Sequence, residues 1–308
     1  MSKQRIVDCF IFYNEIDMLE YRLSIMYPYV DAFVIVESTR THRGSLKPLY
    51  FYKENVERFA KYLDKIVHII VHDMIAEPKC SADWKTGEQW INERHQRNAI
   101  SMGIDALANG KFGWKLTATD LIFITDVDEI IDLNNKNENM NLTKLEILTT
   151  VLKNPESRGI IALPMDMYYY NLKCKFDELW THGKVITYEH YLNLPWIEIP
   201  GMEKLRNISE CVRLTVCCCI VEKFGWHLSC FGSAEMISNK LSEFAHQEFN
   251  NSEYNDVEKI RERMEKGMDF LRRNEFSSSL KRIEFSDNQY LPPFPHETND
   301  FSKFPFCL

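Results

Sequence analysis

Long apolar runs, basic clusters and paired cysteine motifs are all missing from this sequence of 308 residues. No stretch approaches the roughly 18 uninterrupted apolar residues that a membrane-spanning helix needs. Acidic residues outnumber basic ones by 45 to 37, the net charge is −8, and no basic-aromatic stripe occurs. These absences argue against a membrane span and against nucleic acid as a partner, and the composition is that of an ordinary soluble globular protein.

The nine cysteines do not form a recognisable framework. No two of them have the Cys-x-x-Cys spacing of a zinc knuckle. Three are consecutive, Cys217 to Cys219, and lie between apolar residues, which favours small side chains of a buried strand. We therefore expect free thiols and a cytoplasmic location.

The first 130 residues alternate between apolar runs and amphipathic stretches. The runs predict strands at residues 6–13, 31–37, 65–71 and 121–126. The amphipathic stretches predict helices from about residue 16 to 26, near 54–63 and over 86–107. This alternation predicts an α/β fold with a mostly parallel, Rossmann-like central sheet and helices on both faces.

Beyond residue 130 the pattern is less regular. It predicts strands at 159–170 and 211–221, and helices at 142–152, 234–244 and 254–273. Residues 173–207 read as irregular and aromatic, and a proline-rich segment follows residue 290. We find no internal repeat and no linker that would divide the chain, so we expect a single domain over residues 1–308.

The fourth predicted strand ends in two aspartates, Asp126 and Asp128, with Glu129 beside them. Ligands of open α/β sheets bind beyond the carboxyl ends of the strands. Mg²⁺ and similar cations prefer oxygen ligands, and they usually combine one or two carboxylates with substrate phosphates. The pattern therefore predicts a metal that holds a diphosphate, as in a nucleotide-sugar transferase. Glu129 has two readings: it either supports the site or acts as a base there, or it is an acid at a helix N-terminus.

Polar residues also follow the first two predicted strands. Asn14 and Glu15 could bind a nucleobase and ribose, or they could cap the following helix. Glu37 ends the second strand, with the same two kinds of reading. The polar loop at 41–47 either meets phosphate or is simply solvated. On the helix at 86–107, Glu93 and Arg97 have the i, i+4 spacing of an ordinary helical ion pair.

Four segments in order resemble glycosyltransferase family 17. They are residues 8–23, residues 30–49, residues 126–130 and residues 225–246, the last containing Gly-Trp-His and Phe-Ala-His. The resemblance implies a GT-A fold, inversion at the anomeric carbon and a divalent cation, Mn²⁺ or Mg²⁺. It also implies a UDP-sugar donor, with N-acetylglucosamine as the transferred sugar, and a glycan acceptor.

The resemblance also assigns roles along the chain. It implies that Asp126 and Asp128 bind the metal, and it favours His227 as a third ligand or as a donor to the diphosphate. Lys240 would be a point charge for phosphate. It divides the domain into a nucleotide-binding half (1–130), an acceptor-side half (131–275) and a C-terminal wrap (276–308).

The base that removes the proton of the acceptor hydroxyl is not identified by the pattern. Asp166, Glu203 and Glu235 are the candidates, and Glu203 is preferred because it lies in the irregular acceptor-side segment. Two other classes stay open. A phosphatase with an Asp-x-Asp nucleophile needs Thr or Val where Ile130 stands. A non-catalytic glycan-binding module would need no nucleotide site.

Overall fold

The structure is a computed structural model with fifteen strands and eight α-helices among the residues that it describes. The described residues are 3–51, 55–83, 85–137, 141–154, 157, 159–213, 222–271, 280–294 and 304. The strands are β1 (Ile6–Phe12), β2 (Ala32–Ser38), β3 (Ile66–Val71), β4 (Leu121–Asp126), β5 (Glu129–Ile131), β6 (Lys136–Asn137), β7 (Leu142–Thr143), β8 (Ile160–Ala162), β9 (Met165–Tyr169), β10 (Cys174–Trp180), β11 (Lys184–Thr187), β12 (Trp196–Ile197), β13 (Leu205–Arg206), β14 (Gly225–Ser229) and β15 (Leu280–Arg282). The helices are α1 (Ile16–Met26), α2 (Gln89–Asn98), α3 (Ile100–Ala108), α4 (Lys144–Leu152), α5 (Tyr188–Tyr191), α6 (Ile208–Arg213), α7 (Ala234–Glu243) and α8 (Val257–Lys266).

The larger sheet has six strands in the order β3-β2-β1-β4-β11-β8. The first four are parallel, and β11 runs antiparallel to both β4 and β8. The carboxyl ends of β1, β2 and β4 therefore meet at one edge, where a ligand site of an α/β sheet is expected. The mixed α/β class with a mostly parallel sheet is confirmed, and the sheet takes its last two strands from beyond residue 130.

Helices cover both faces of this sheet. Phe33 and Ile35 of β2 belong to the core on the α1 side, whereas Val34 and Val36 belong to the core that contains α3. Strand β2 is thus apolar on both faces, which is why its sequence shows a continuous run rather than alternation. Burying each such side chain contributes about 1.5–3 kcal/mol, so the sheet is a rigid base for the site at its edge.

A second sheet of five strands has the order β15-β10-β9-β14-β5. Strand β14 is parallel to β9 and antiparallel to β5. Helices α7 and α8 pack on it through Ile237, Leu241 and Ile260, against Tyr169 and Phe176. Because β5 follows β4 almost at once, this sheet and its helices meet the first sheet at the acidic strand end.

Several predicted elements differ from those observed. The strand predicted at 159–170 is divided into β8 and β9, which belong to different sheets. Pro164 lies between them, and a proline has no N–H to donate to a sheet. The segment 173–207, predicted as irregular, contains β10 and β11, because pairing with β9 and β4 decides its conformation.

Two helix predictions and one further strand prediction are also corrected. The helix predicted at 86–107 is two helices, α2 and α3, which meet at Ala99, where ψ is −9°. Within the helix predicted near 54–63 the structure has a 3-10 helix, Ala60–Lys65, and residue 54 lies outside the described residues. Cys211, predicted in a strand, lies in α6, and residues 214–221 of that predicted strand, with the three consecutive cysteines, are outside the described residues.

None of the described helices is both long and apolar enough to cross a membrane.

The cysteines give a first testable prediction. None of the five that the structure describes, Cys9, Cys80, Cys174, Cys211 and Cys230, is joined in a disulfide. We expect a thiol titration of denatured, non-reduced protein to find nearly all nine. A titration that finds several fewer, and recovers them only after reduction, would contradict the prediction.

Candidate functional site

A cleft of about 280 Å³ opens at the carboxyl ends of β1, β2 and β4. Its acidic residues are Glu15, Glu93, Asp126, Asp128 and Glu243, and its cationic residues are Arg40, Lys47, Arg97 and Lys240. Its aromatic residues are Phe12, Tyr13, Trp90, Trp180 and Phe244, with the histidines His42, His227 and His246. Carboxylates, cations and aromatic faces together suit a ligand that carries both phosphate and sugar.

Asp126 is the last residue of β4 and the more accessible acid of the motif. Its side chain is 39% exposed, and Oδ1 accepts a hydrogen bond of 2.7 Å from Nη1 of Arg97. The other donors of Arg97 contact Oε1 of Glu93, at 2.8 and 3.0 Å. The predicted Glu93–Arg97 helical pair is confirmed, but it also reaches across to the first aspartate and fixes the position of that carboxylate.

Asp128 is more enclosed, with a side chain only 11% exposed. Nε2 of His227 lies 3.6 Å from Oδ1, and Nζ of Lys240 lies 3.8 Å from Oδ2. Burial alone would raise the pKa of Asp128, but the positive charges of His227 and Lys240 hold its pKa well below its usual range. Asp128 is therefore an anion in the folded protein, as a metal ligand must be.

Strand pairing brings His227 to this aspartate. Within β14, His227 is opposite Glu129 of β5, and the N–H of Leu228 donates to the carbonyl of Asp128 at 2.8 Å. Gly225 opens β14 with φ of +151°, and a Cβ there would lie 2.1 Å from the carbonyl oxygen of Ile130. Only glycine permits this close approach, so the Gly-Trp-His segment is needed to place the imidazole.

Lys240 links α7 to the start of α1. Its Nζ lies 3.5 Å from Oε1 of Glu15, whose other oxygen accepts the N–H groups of Tyr13 and Asn14. The amide of Asn14 donates to Asn239 at 3.2 Å. The side chains of Asn14 and Glu15 therefore connect the two halves of the site, and neither of them caps α1.

A buried ion pair supports the acidic turn from below, and the sequence reading missed it. Arg22 of α1 and Asp8 of β1 are both fully buried, and they form two hydrogen bonds with each other. The same guanidinium donates to the carbonyls of Asp126 and Glu129, at 2.8 and 2.6 Å, and to the hydroxyl of Thr125 at 2.6 Å. Both residues were in the segment that carries the family resemblance, which was the available signal.

Glu129 stands in β5 and not at the start of a helix, so that reading of it is wrong. It is buried, and it accepts hydrogen bonds from the backbone N–H of Asp126 and from the indole of Trp180. Burial, together with the negative charges of Asp126 and Asp128, holds its pKa well above the usual range. Glu129 therefore shapes the turn from behind the cleft.

Glu37 does not line the cleft. It is fully buried, and it pairs with Lys47 at 3.1 Å and with His68 at 3.2 Å. It also accepts the N–H of Tyr50 at 2.6 Å. Its contacts fix the loop after β2, so its effect on the site is indirect, through the position of Lys47.

The polar loop after β2 contributes part of the cleft wall. Thr41 and Lys47 line the cleft, as does His42, whose Nε2 lies 2.9 Å from Oε1 of Gln96. Burial lowers the pKa of His42. Arg43 lies outside the cleft, with its backbone N–H directed to the carbonyl of Glu243.

The structure places none of the three candidate bases in the cleft. Asp166 is a buried residue of β9 in the second sheet, paired with Lys175 and Lys223 at 2.6 and 2.8 Å. Glu235 is exposed at the start of α7 and pairs with Arg261. Glu203, the preferred candidate, is exposed in a loop that its backbone N–H ties to Asp73 at 2.9 Å.

No group of three or more His, Cys, Asp or Glu side chains in the described ranges is arranged to hold a metal ion. The predicted set of Asp126, Asp128 and His227 is therefore not a preformed three-ligand cage. Two carboxylates that share one cleft wall still suit Mg²⁺ or Mn²⁺, because such cations take one or two carboxylates and complete their shell with water and substrate phosphates. The donor chemistry of the site fits a cation that arrives with its ligand.

Sequence comparison agrees with the class of protein that this site indicates, an α/β protein with a ligand cleft at an acidic strand end. The family model for glycosyltransferase family 17 matches residues 1–180. The chain therefore belongs to glycosyltransferase family 17. The match includes β1 to β4 and the Asp126–Asp128 motif, whereas the Gly-Trp-His segment and Lys240 lie beyond it. No curated protein matches the chain. Family membership supports glycosyl transfer as the activity, with a sugar donor and a glycan acceptor as substrates.

Proposed function

We propose that the chain is an inverting, metal-dependent glycosyltransferase of GT-A architecture. It would move a sugar, with N-acetylglucosamine the leading candidate, from a UDP-sugar to a hydroxyl group of a glycan. The observation that carries the proposal is the placement of Asp126 and Asp128 at the end of β4, inside a cleft that also contains Arg97 and Lys240. Opposite charges at one strand end suit a diphosphate and its counter-cation.

The residues of the cleft have separate tasks in this proposal. Asp126 and Asp128 would hold Mn²⁺ or Mg²⁺, which when bound stabilises negative charge on the departing diphosphate. Lys240 and His227 add positive charge next to Asp128, and pre-arranged charge of this kind strengthens as water is excluded. Asn14 and Glu15, at the end of β1, are proposed to contact the nucleotide.

Aromatic side chains form the rest of the wall. Trp90 meets the ring of His246 edge-on, with centroids 4.6 Å apart, and Trp180 lies 4.3 Å from the ring of His227. Flat apolar faces suit the C–H faces of sugar rings, so these residues are proposed to hold the sugar and the acceptor. They would equally suit a glycan-binding module, but the charged acidic end has no task in such a protein.

The phosphatase reading receives no support from the cleft. That reading needs Thr or Val two residues after the second aspartate, and the chain has Ile130 there, buried in β5. We also propose that the protein works in a reducing compartment, the cytoplasm. The lack of disulfides among the cysteines that the structure describes supports this location.

A panel of nucleotide sugars tests the proposed function. Purified protein is incubated with MnCl₂ and each donor, with water and methyl glycosides as acceptors, and nucleotide release is followed. We expect UDP release from one UDP-sugar, dependence on the metal, and a β-linked product from an α-linked donor by NMR. If no donor is consumed and UDP does not bind, the proposed function is wrong.

Lys240 and His227 provide a prediction about the donor side. Removing either cation, by Lys240→Ala or His227→Ala, is expected to weaken UDP binding in the presence of Mn²⁺ by about tenfold, or about 1.4 kcal/mol. Calorimetric titration of UDP into each variant measures this. Lys266→Ala, an exposed cation of α8 paired with Glu262, is the matched control and should bind UDP like the wild type. Unchanged affinity in both cleft variants, with only reduced thermal stability, would show that the two residues are structural.

A further inference from the structure

We propose that Glu243 is the catalytic base that accepts the proton of the attacking acceptor hydroxyl. The inference rests on the proposed function and assigns a role that the sequence left open. Glu243 is the last residue of α7, is half-buried and lines the cleft.

Asp126 and Glu93, two acids of the cleft, share one cation, Arg97. Arg97 donates to Asp126 at 2.7 Å and to Glu93 at 2.8 and 3.0 Å, and its side chain is only 10% exposed. Both carboxylates are therefore engaged by the same guanidinium before any substrate enters. Asp126 is in addition a proposed metal ligand, so neither acid is placed to receive the acceptor proton.

Glu15 and Asp128, two further acids of the cleft, share a second cation, Lys240. Nζ of Lys240 lies 3.5 Å from Oε1 of Glu15 and 3.8 Å from Oδ2 of Asp128. Asp128 is a proposed metal ligand and also has His227 beside it, and Glu15 already accepts two backbone N–H groups. Both carboxylates therefore have partners in place before an acceptor enters.

Glu243 differs from these four acids. Its Oε2 accepts a hydrogen bond of 2.7 Å from the hydroxyl of Thr41, and within the described part of the chain it forms no ion pair. One neutral hydroxyl fixes the orientation of the carboxylate without cancelling its charge. The hydrogen bond holds Oε2, so Oε1 is the oxygen that would meet an acceptor.

The position of Glu243 also suits the reaction. It lies one helical turn after Lys240, so the two side chains emerge from the same face, about 5–6 Å apart at Cβ. Lys240 marks the diphosphate end through its contact with Asp128. Phe244 and His246, which follow Glu243 in the chain, line the cleft beyond it. Glu243 thus stands between the phosphate end and the aromatic end, where an acceptor hydroxyl would enter.

The step balances as a single displacement. The acceptor oxygen forms a bond to the anomeric carbon, and the bond from that carbon to the diphosphate oxygen breaks, with its electron pair leaving on UDP. The hydroxyl proton passes to Oε1 of Glu243. Attack from the face opposite the leaving group inverts the anomeric configuration.

Glu243→Gln tests the proposal, because the amide keeps the shape and can still accept the Thr41 hydrogen bond. With Mn²⁺ and the UDP-sugar that the wild type hydrolyses, we expect donor hydrolysis to fall by about 10²–10⁴-fold. The dissociation constant of UDP should stay within twofold, since Glu243 does not contact the diphosphate end. Glu235→Gln, on the same helix but exposed, is the matched control and should hydrolyse donor like the wild type.

Azide, used as the acceptor, distinguishes a catalytic base from a residue that is only structural. Azide is an anion and needs no proton removed, so Glu243→Ala should form the inverted glycosyl azide at a rate near that of the wild type with azide. Thr41→Val removes the tether of the carboxylate and the acceptor for the Ser45 N–H but leaves the carboxylate itself, so its loss of hydrolysis should stay below tenfold.

Three results would overturn the inference. They are hydrolysis by Glu243→Gln within tenfold of the wild type, equal losses in Glu243→Gln and Thr41→Val, and failure of azide to restore turnover in Glu243→Ala. A wild-type protein that binds no UDP would instead remove the proposed function itself, and the role of Glu243 with it.

Discussion

Asp126→Asn and Asp128→Asn are each expected to reduce sugar transfer by at least about 10³-fold while the fold is kept. Each change exchanges a charged oxygen for a neutral amide at the acidic strand end, so charge that develops on the diphosphate loses its counter-cation. Transfer is measured at saturating donor with MnCl₂, and circular dichroism checks the fold. Loss of Mn²⁺-dependent UDP binding, read by calorimetry, gives a second measure that does not depend on turnover.

The two variants should differ in stability. Asp126 is partly exposed, so its replacement is expected to cost little. Asp128 is buried beside His227 and Lys240, and its neutralisation leaves those two cations without their partner. Asp177→Asn, which changes an exposed aspartate of β10 that pairs with Lys281, is the control and should transfer normally. Near-normal transfer by both site variants would reject the role of the motif.

The second large effect is expected for Arg22→Met. The change leaves the fully buried Asp8 carboxylate without its partner and removes the donors to the carbonyls of Asp126 and Glu129. Breaking a buried pair of this kind costs about 3–5 kcal/mol of the free energy of unfolding. Urea denaturation followed by tryptophan fluorescence measures the loss.

A double variant separates stability from activity. Asp8→Leu combined with Arg22→Met removes both buried charges, and an apolar replacement of a buried pair is often nearly neutral. We expect the double variant to recover part of the lost free energy but no transfer, because the turn from Asp126 to Glu129 still lacks its donors. Recovery of transfer together with stability would show that Arg22 serves only the core.

The first half of the fold could be predicted well because its signal is local. Strands β2 and β4 are apolar on both faces, so each appears as an uninterrupted run that ends at polar residues, and in β1 only the paired Asp8 interrupts the run. Prediction failed where pairing decides the conformation. Residues 174–180 form β10 because they lie against β9, and the predicted strand at 159–170 is broken by Pro164.

The residues of the site were also predicted correctly in part and wrongly in part. Glu15, Asp126, Asp128, His227 and Lys240 were all singled out from the sequence, and the structure brings them together. Glu37 was singled out by the same argument from strand ends. Its side chain is nevertheless buried outside the cleft, where it pairs with Lys47 and His68. A strand-end position indicates which residues are near the edge, but not the direction of their side chains.

By itself the sequence determined where the first strands lie along the chain, the acidic strand end and the family, because apolar runs and short motifs are local patterns. Only the tertiary structure decided the electrostatic partners. Arg22 meets Asp8 across 14 positions, Arg97 meets Asp126 across 29, and the cleft acid Glu243 meets Thr41 across 202. Such contacts depend on how the sheets and helices pack, and no periodicity along the chain records them. The charge state of the cleft, and with it the choice of a base, therefore became visible only in the folded protein.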